Sequence, residues 1–384
     1  MFKKHNFELR IAGGAVRDLL LAKVPHDVDF ATTATPQEMK TMFESEGIRM
    51  INMNGEKHGT ITCRIHDAEN FEVTTLRRDV VTDGRHAEVE FTSDWAVDAE
   101  RRDLTINSMF LGFDGTIYDF FNGNEDLQKQ RICFVGDANK RIQEDFLRIL
   151  RYFRFYGRVV QHPGQHERET LNAIQRNVHG LADISGERIW VEVKKILVGR
   201  HAAHLVRLMM ELGLYPHIGF PANSDLMEFD RVCENCSNLN PQPLTLLSAL
   251  MRHEEEIYQL HKRLKLSNDE LHLGLFIVKH RHDDFSNGAF EHCQDILCDT
   301  PGGATKVKEQ LCELLKYTGQ ESELGRLTAY ELPKMPVNGH TLMQMGVAKG
   351  KPLGRALDLC RRKFKESRFT LTEKELLEFI KDKK

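Results

Sequence analysis

Gly13-Gly14-Ala15-Val16-Arg17-Asp18, followed after eight residues by Asp27-Val28-Asp29, is the stretch on which the reading of this chain turns. Aspartate is depleted in strands, so two of them at i and i+2 in an apolar setting call for a reason. On a strand that spacing puts both carboxylates on one face. There they suit a hard divalent cation such as Mg2+, which takes one or two protein carboxylates plus substrate phosphates. The glycines, with a helix opening near Ala15, let backbone amides approach a polyphosphate, and Arg17 adds charge at a helix start that attracts anions. A plain turn followed by solvent-facing acids is the alternative. The position of the glycines, immediately upstream of the acids, favours a metal-dependent nucleotidyl transfer site.

Working outward, the chain has 384 residues, 41% of them hydrophobic, and a net charge of −4. That length fits about two or three domains of roughly 100–200 residues. With so small a net charge, nucleic-acid binding has to rest on local basic patches. No apolar run approaches the roughly 20 residues of a membrane span. Met1-Phe2-Lys3-Lys4-His5 is too short, ahead of the first strand, to read as a targeting segment. Eight scattered cysteines in a chain of this length point to a reducing interior. Cys233 and Cys236 form a C-x-x-C without the second pair that a zinc site usually carries, so no metal is expected there.

Strands are predicted over 7–11, 28–30, 59–65 and 71–76, and a helix starts at Thr35-Pro36-Gln37-Glu38, a cap followed by proline. Asp83-Gly84-Arg85-His86 reads as a polar loop, 98–110 as a helix, and Asp114-Gly115 as a hairpin turn. From about Ala138 helical periodicity dominates, with caps at Ser267-Asn268-Asp269-Glu270 and Thr372-Glu373. The predicted architecture is α+β: a mixed-sheet catalytic head carrying a long all-α remainder.

Three further groups carry chemistry. Glu72, in the apolar-acid-apolar triplet Phe71-Glu72-Val73, joins Asp27 and Asp29 as a candidate catalytic acid on a neighbouring strand. Two-metal transfer holds its ions about 3.5–4 Å apart and needs such acids. Arg101-Arg102-Asp103-Leu104-Thr105-Ile106-Asn107 offers Arg102 to triphosphate oxygens and Asn107 to a ribose hydroxyl; an Arg102 paired to a nearby acid is the plainer reading. In 144–154, Asp145, Arg148 and Arg151 are spaced three apart on one flank of a predicted helix, with Arg154 drifting round it. Phe146, Ile149, Leu150 and Phe153 bury its other sides, which favours an anion site over a salt-bridged surface helix.

These motifs, in this order, resemble the class II CCA-adding enzymes (tRNA nucleotidyltransferases), most closely the animal, mitochondrial-type members. The likeness runs nearly end to end, and Ile184-Ser185-Gly186-Glu187-Arg188-Ile189-Trp190 looks like the family's neck motif. It implies a polymerase-β-like nucleotidyltransferase head over 1–135, a neck over 136–200 with the base template, and a helical body and tail over 201–384 binding tRNA. It implies that Asp27 and Asp29 bind two Mg2+ ions. Asp145 and Arg148 would form the template, with Gly13, Gly14, Arg17, Arg102, Asn107, Arg151 and Arg154 around the nucleotide. Asp83, Gly84 and Arg85 would belong to a flexible loop linked to the switch from C to A addition. The implied reaction adds C, C and A to the tRNA 3′ end from CTP and ATP, releasing pyrophosphate. A poly(A) polymerase of the same superfamily and a catalytically silent RNA-binding protein are the rivals. A mitochondrial or cytoplasmic location, and a monomer or homodimer, both remain open.

The template idea is chemically consistent. Cytosine and adenine both present an amino donor beside an unprotonated ring nitrogen, matching a carboxylate acceptor and a guanidinium donor. Guanine and uracil present the reverse pattern, which leaves buried polar groups unpaired at about 1–3 kcal/mol each. The basic run Arg361-Arg362-Lys363-Phe364-Lys365, with Arg368, suits tRNA phosphates, although a solvated helix face is the plainer reading. His282-Asp283 reads as a polar helix end.

Overall fold

The computed structural model describes residues 1–52, 55–82, 87–285, 288–300 and 304–382. By internal contacts it divides into two units, one of residues 1–224 with 259–266 and one of 225–258 with 267–384. The predicted loop at Asp83, Gly84, Arg85 and His86 lies outside the described residues.

Nine strands are seen among the described residues, all in the first unit: β1 (Leu9–Ala12), β2 (Phe30–Thr32), β3 (Arg49–Asn52), β4 (Thr60–Ile65), β5 (Glu69–Thr75), β6 (Arg77–Thr82), β7 (Ala87–Phe91), β8 (Phe110–Leu111) and β9 (Ile117–Tyr118). Seven form a mixed sheet in the order β3-β4-β5-β2-β1-β8-β9, while β6 and β7 pair as a separate ribbon. The β2–β5 pair is parallel and β1–β2 antiparallel. Helix α1 (Gly14–Leu20) leaves β1 directly. Helix α2 (Pro36–Ser45) opens as predicted, with a capping box between Thr35 and Glu38. Its Met39, Met42 and Phe43 bury against Ile61, Cys63 and Val73 of the sheet. At the Asp114-Gly115 turn, Thr116 N–H bonds Asp114 Oδ1 at 3.0 Å and joins β8 to β9, as the sequence predicts.

Three expectations are corrected. Asp27 and Asp29 do not lie within a strand; they precede β2, in the connection from α1. The main chain of Asp29 is nonetheless fixed, its carbonyl accepting Ala12 N–H at 2.9 Å. The predicted helix over 98–110 is instead a short helix, α3 (Trp95–Glu100), a turn at Thr105–Asn107, and strand β8. Thr105, Ile106, Asn107 and Ser108 are weak helix formers, and Thr105 N–H bonds Cys133 O at 3.0 Å, so tertiary pairing takes the segment. The helix expected through 144–154 breaks at Asp145. Helix α4 (Ala138–Glu144) ends there and α5 (Arg148–Val159) begins three residues on. Asp145 Oδ1 accepts Leu147 N–H at 3.1 Å, the local bond by which aspartate competes with a helix.

From Ala138 on, every described element is helical. The predicted caps at Ser267 and Thr372 are both full capping boxes. No helix among the described residues is long and apolar enough to cross a membrane. Helix α6 (Gly186–Leu197) starts hard against another segment: a Cβ on Gly186 would stand 2.0 Å from the Arg263 carbonyl oxygen. The Gly186→Ala substitution should therefore cost about 2–3 kcal/mol through overpacking. A urea melt checks this, and an unchanged midpoint would show that α6 shifts freely.

Candidate active site

The turn after β1 requires glycine. Gly13 has φ +63, and a Cβ there would meet Arg102 Nη1 at 2.7 Å and the Asn107 carbonyl at 3.3 Å. Gly13 N–H bonds Met109 O at 3.0 Å, which brings the start of α1 beside the segment carrying Arg102 and Asn107.

Here a cleft of about 560 Å³ opens, lined by Gly13, Gly14, Arg17, Asp27, Asp29, Arg102, Asn107, Asp145, Arg148, Arg151 and Arg154. Eleven sequence-predicted residues thus meet in one place. The twelfth acid-or-ligand candidate, Glu72, does not line it. Glu72 borders an adjoining hollow of about 190 Å³ together with Asp29, Gly13, Gly14 and Arg102. The parallel register Phe30↔Val73 explains this, since one step back it sets Asp29 beside Glu72. Among the described lining residues of the cleft, eight arginines face five aspartates, a surplus that suits a polyphosphate.

Each of these arginines is held by an acid. Asp98, 1% exposed, takes Arg101 at 2.8 Å and Arg102 at 3.0 Å. Asp18 bridges Arg17 at 3.0 Å and Arg158 at 2.7 Å. Glu144 bridges Arg141 and Arg148, both at 2.7 Å. Asp103 takes Arg151 at 2.6 Å, Glu192 takes Arg154 at 3.2 Å, and Asp145 takes Arg188 at 2.7 Å. Asn107 ties two pairs together: its Oδ1 accepts Arg17 Nη1, and its Nδ2 donates to Asp103 Oδ1 at 3.2 Å. The plainer reading of Arg102, paired to a nearby acid, is thus what its side chain does, and it does so on the cleft wall.

The protonation balance follows. Burial alone would raise the Asp103 carboxyl, but the Arg151 charge and its hydrogen bonds outweigh that and hold it below the usual range. Burial lowers the Arg17 guanidinium, with Asp18 opposing and Arg158 adding to the shift. Asp29 moves the other way: burial and the neighbouring Asp27 charge raise its carboxyl, with Arg102 only partly offsetting them. Two neighbouring carboxylates, Asp27 and Asp29, offering hard oxygen donors fit a divalent cation such as Mg2+.

Sequence reading gave no role to Asp18, Asp98, Glu144, Arg158, Arg188 or Glu192. Glu144 and Arg188 lie within motifs quoted above, and Asp98 is four residues from Arg102, a spacing that signals a helical pair. For Arg158 with Asp18, 140 residues apart, and Glu192 with Arg154, 38 apart, no local signal exists.

The chain matches two family models, the Poly A polymerase head domain over residues 9–133 and "Probable RNA and SrmB- binding site of polymerase A" over 165–223. It is 56% identical to the mitochondrial CCA tRNA nucleotidyltransferase 1 of Homo sapiens, over 99% of this chain and 88% of that protein. A crystal structure of the Bacillus stearothermophilus CCA-adding enzyme in complex with CTP superposes with a TM-score of 0.74 at 27% identity, covering 100% of this chain and 95% of that one. The Thermotoga maritima CCA-adding enzyme complexed with tRNA shares the fold at a TM-score of 0.68 and 21% identity, over 99% and 92% of the two chains.

Removing Asp103 leaves the part-buried Arg151 without its acid. Asp103→Asn should destabilise the protein by about 1–3 kcal/mol, read from chemical denaturation. A loss below about 0.5 kcal/mol would place the Asp103–Arg151 pair among weak surface bridges.

Proposed function

This chain belongs to the CCA-adding tRNA nucleotidyltransferases, and we propose that its arginine-lined cleft binds CTP or ATP for stepwise transfer to a tRNA. In this reaction the tRNA 3′ hydroxyl attacks the α-phosphate of CTP, of CTP again and then of ATP, releasing pyrophosphate each time. The observation that carries the assignment to this cleft is the presence of the acids and the Asp145–Arg148 pair on one continuous surface.

Residue roles follow from what each side chain has left to offer. Arg148 spends three N–H groups on Glu144, the Arg141 carbonyl and the Arg101 carbonyl. A guanidinium has five, so two remain for a base. Asp145 gives one oxygen to Arg188 and the other to Leu147 N–H, and each oxygen keeps a lone pair for an amino donor. Such a pair, fixed before the nucleotide arrives, selects cytosine and adenine over guanine and uracil. Gly13 and Gly14 bring main chain close to the triphosphate, and Arg17, Arg102, Arg151 and Arg154 supply positive charge around it. Asn107 keeps a second amide hydrogen for a ribose hydroxyl.

Asp27 and Asp29 would hold Mg2+, two ions in our reading, with Glu72 alongside. Bound there, the metal supplies acidification of the 3′ hydroxyl and neutralisation of pyrophosphate. Residues 1–135 act as head, 136–200 as neck, and 201–384 as tRNA-binding body and tail. Along the tail, Arg361, Lys363, Lys365 and Arg368 pair with Asp358, Glu366, Asp299 and Asp295. Such exposed pairs are worth about 0–1 kcal/mol, little enough for phosphates to replace the acids. The loop around Asp83, Gly84 and Arg85 takes part in the change from C to A. A mitochondrial location follows the relatives' name.

A tRNA transcript ending at the discriminator base tests this. With Mg2+, CTP alone should add two nucleotides, and CTP with ATP should stop at three. A long ladder with ATP alone would instead identify a poly(A) polymerase. Asp27→Asn should slow addition by at least about a hundredfold, the loss of a few kcal/mol of charge stabilisation. Asp145→Ala should relax selection against UTP and GTP, and unchanged selectivity would remove the template role.

A further inference from the structure

A second constellation of ligand-type side chains lies in the second unit. Helix α7 (Asn268–His280) ends on His280, Asp283 follows in the turn, and His292 sits near the start of helix α8 (Ala289–Asp299). His280 Nδ1 and His292 Nε2 approach the same oxygen, Asp283 Oδ2, at 2.7 and 2.8 Å. The three candidate donor atoms lie within 4.8 Å of one another. Of the sequence pair His282-Asp283, only the aspartate takes part; its partners come from three residues before it and nine after.

We propose that His280, Asp283 and His292 bind one divalent transition-metal ion of the zinc type. Two imidazoles and one carboxylate, with a fourth position left to water, form a donor set that suits Zn2+. It is a poor match for Mg2+, which prefers oxygen alone, so the site is chemically distinct from the cleft acids. Zinc bonds of about 2.0–2.2 Å set neighbouring donors roughly 3.3 Å apart; each imidazole nitrogen, now 2.7 and 2.8 Å from Asp283 Oδ2, reaches that spacing from it by parting about half an ångström. All three are half-buried, and the rings of Phe276 and Phe285 lie 4.6 and 5.2 Å from those of His280 and His292. Such an apolar wall limits solvent access and strengthens a bound cation's field. The ion would clip the end of α7 to the start of α8.

The full-length chain, stripped with EDTA and dialysed against Zn2+, should retain about one equivalent by elemental analysis and melt at a higher temperature than the stripped form. Asp283→Asn and His292→Gln should each weaken retention at least about tenfold, since even losing a residue behind a metal ligand costs 10–100-fold. Both variants should keep Mg2+-dependent nucleotide addition, which shows that they fold. Cobalt(II) gives a reading on the unaltered chain: the intense visible absorption of a low-coordinate nitrogen–oxygen site, without thiolate charge transfer. No retained zinc, zinc retained equally by both variants, or a cobalt spectrum with thiolate bands would overturn the proposal. Any of these would leave the triad as a metal-free hydrogen-bonded knot.

Discussion

The cleft depends on buried carboxylates that hold arginines in place. Eight guanidinium groups packed around one cavity would repel each other and sample many rotamers if left to water. Here each has an acid partner on the protein side, so the conformational cost is met on folding rather than on binding. Asp98, Asp103, Asp18 and Glu192 are themselves buried. For Asp98 and Asp103 burial is outweighed by the arginine charges, with hydrogen bonds from Arg77 N–H and Asn107 Nδ2, which hold the carboxyls below their usual range.

Backbone geometry supplies the second constraint. Gly13, with its left-handed conformation and Arg102 pressed against it, turns the chain from β1 into α1 at the cleft floor. The Ala12–Asp29 main-chain bond then sets the acids next to that turn. Glycine conformation, that main-chain bond and the Asp98–Arg102 pair thus converge on one small volume. Asp27 and Asp29 remain exposed in the connection before β2, and that convergence places them on the wall of the arginine-lined cleft.

Much of this was legible locally. The capping boxes at Thr35, Ser267 and Thr372, the Asp114-Gly115 hairpin and the change to helix at Ala138 are signals spanning a few residues, and the fold keeps them. The misread segments share one cause. Over 98–110 a helical period continues through Thr105 and Ile106, but strand pairing with Cys133 and β1 is worth more than weak propensity. At Asp145 the period again runs on, yet the side chain accepts Leu147 N–H just ahead of the next helix and turns its other oxygen toward Arg188. The β6–β7 ribbon escaped although Asp83-Gly84, a turn dipeptide, stands between its strands in the sequence, because the segment reads equally as a polar loop.

By itself the sequence determined which chemistry is present: the glycine turn, the two aspartates, the arginine groups and their order along the chain. Their kinds and spacings also carried the family. Only the tertiary structure decided which acid holds which arginine, that Glu72 borders Asp29 from a neighbouring hollow, and that His280 and His292 close on Asp283. Periodicity reports which face of an element is apolar over a turn or two. Charge pairing is settled by desolvation once the elements pack, and buried acids such as Asp18 and Glu192 then find partners 38 to 140 positions away.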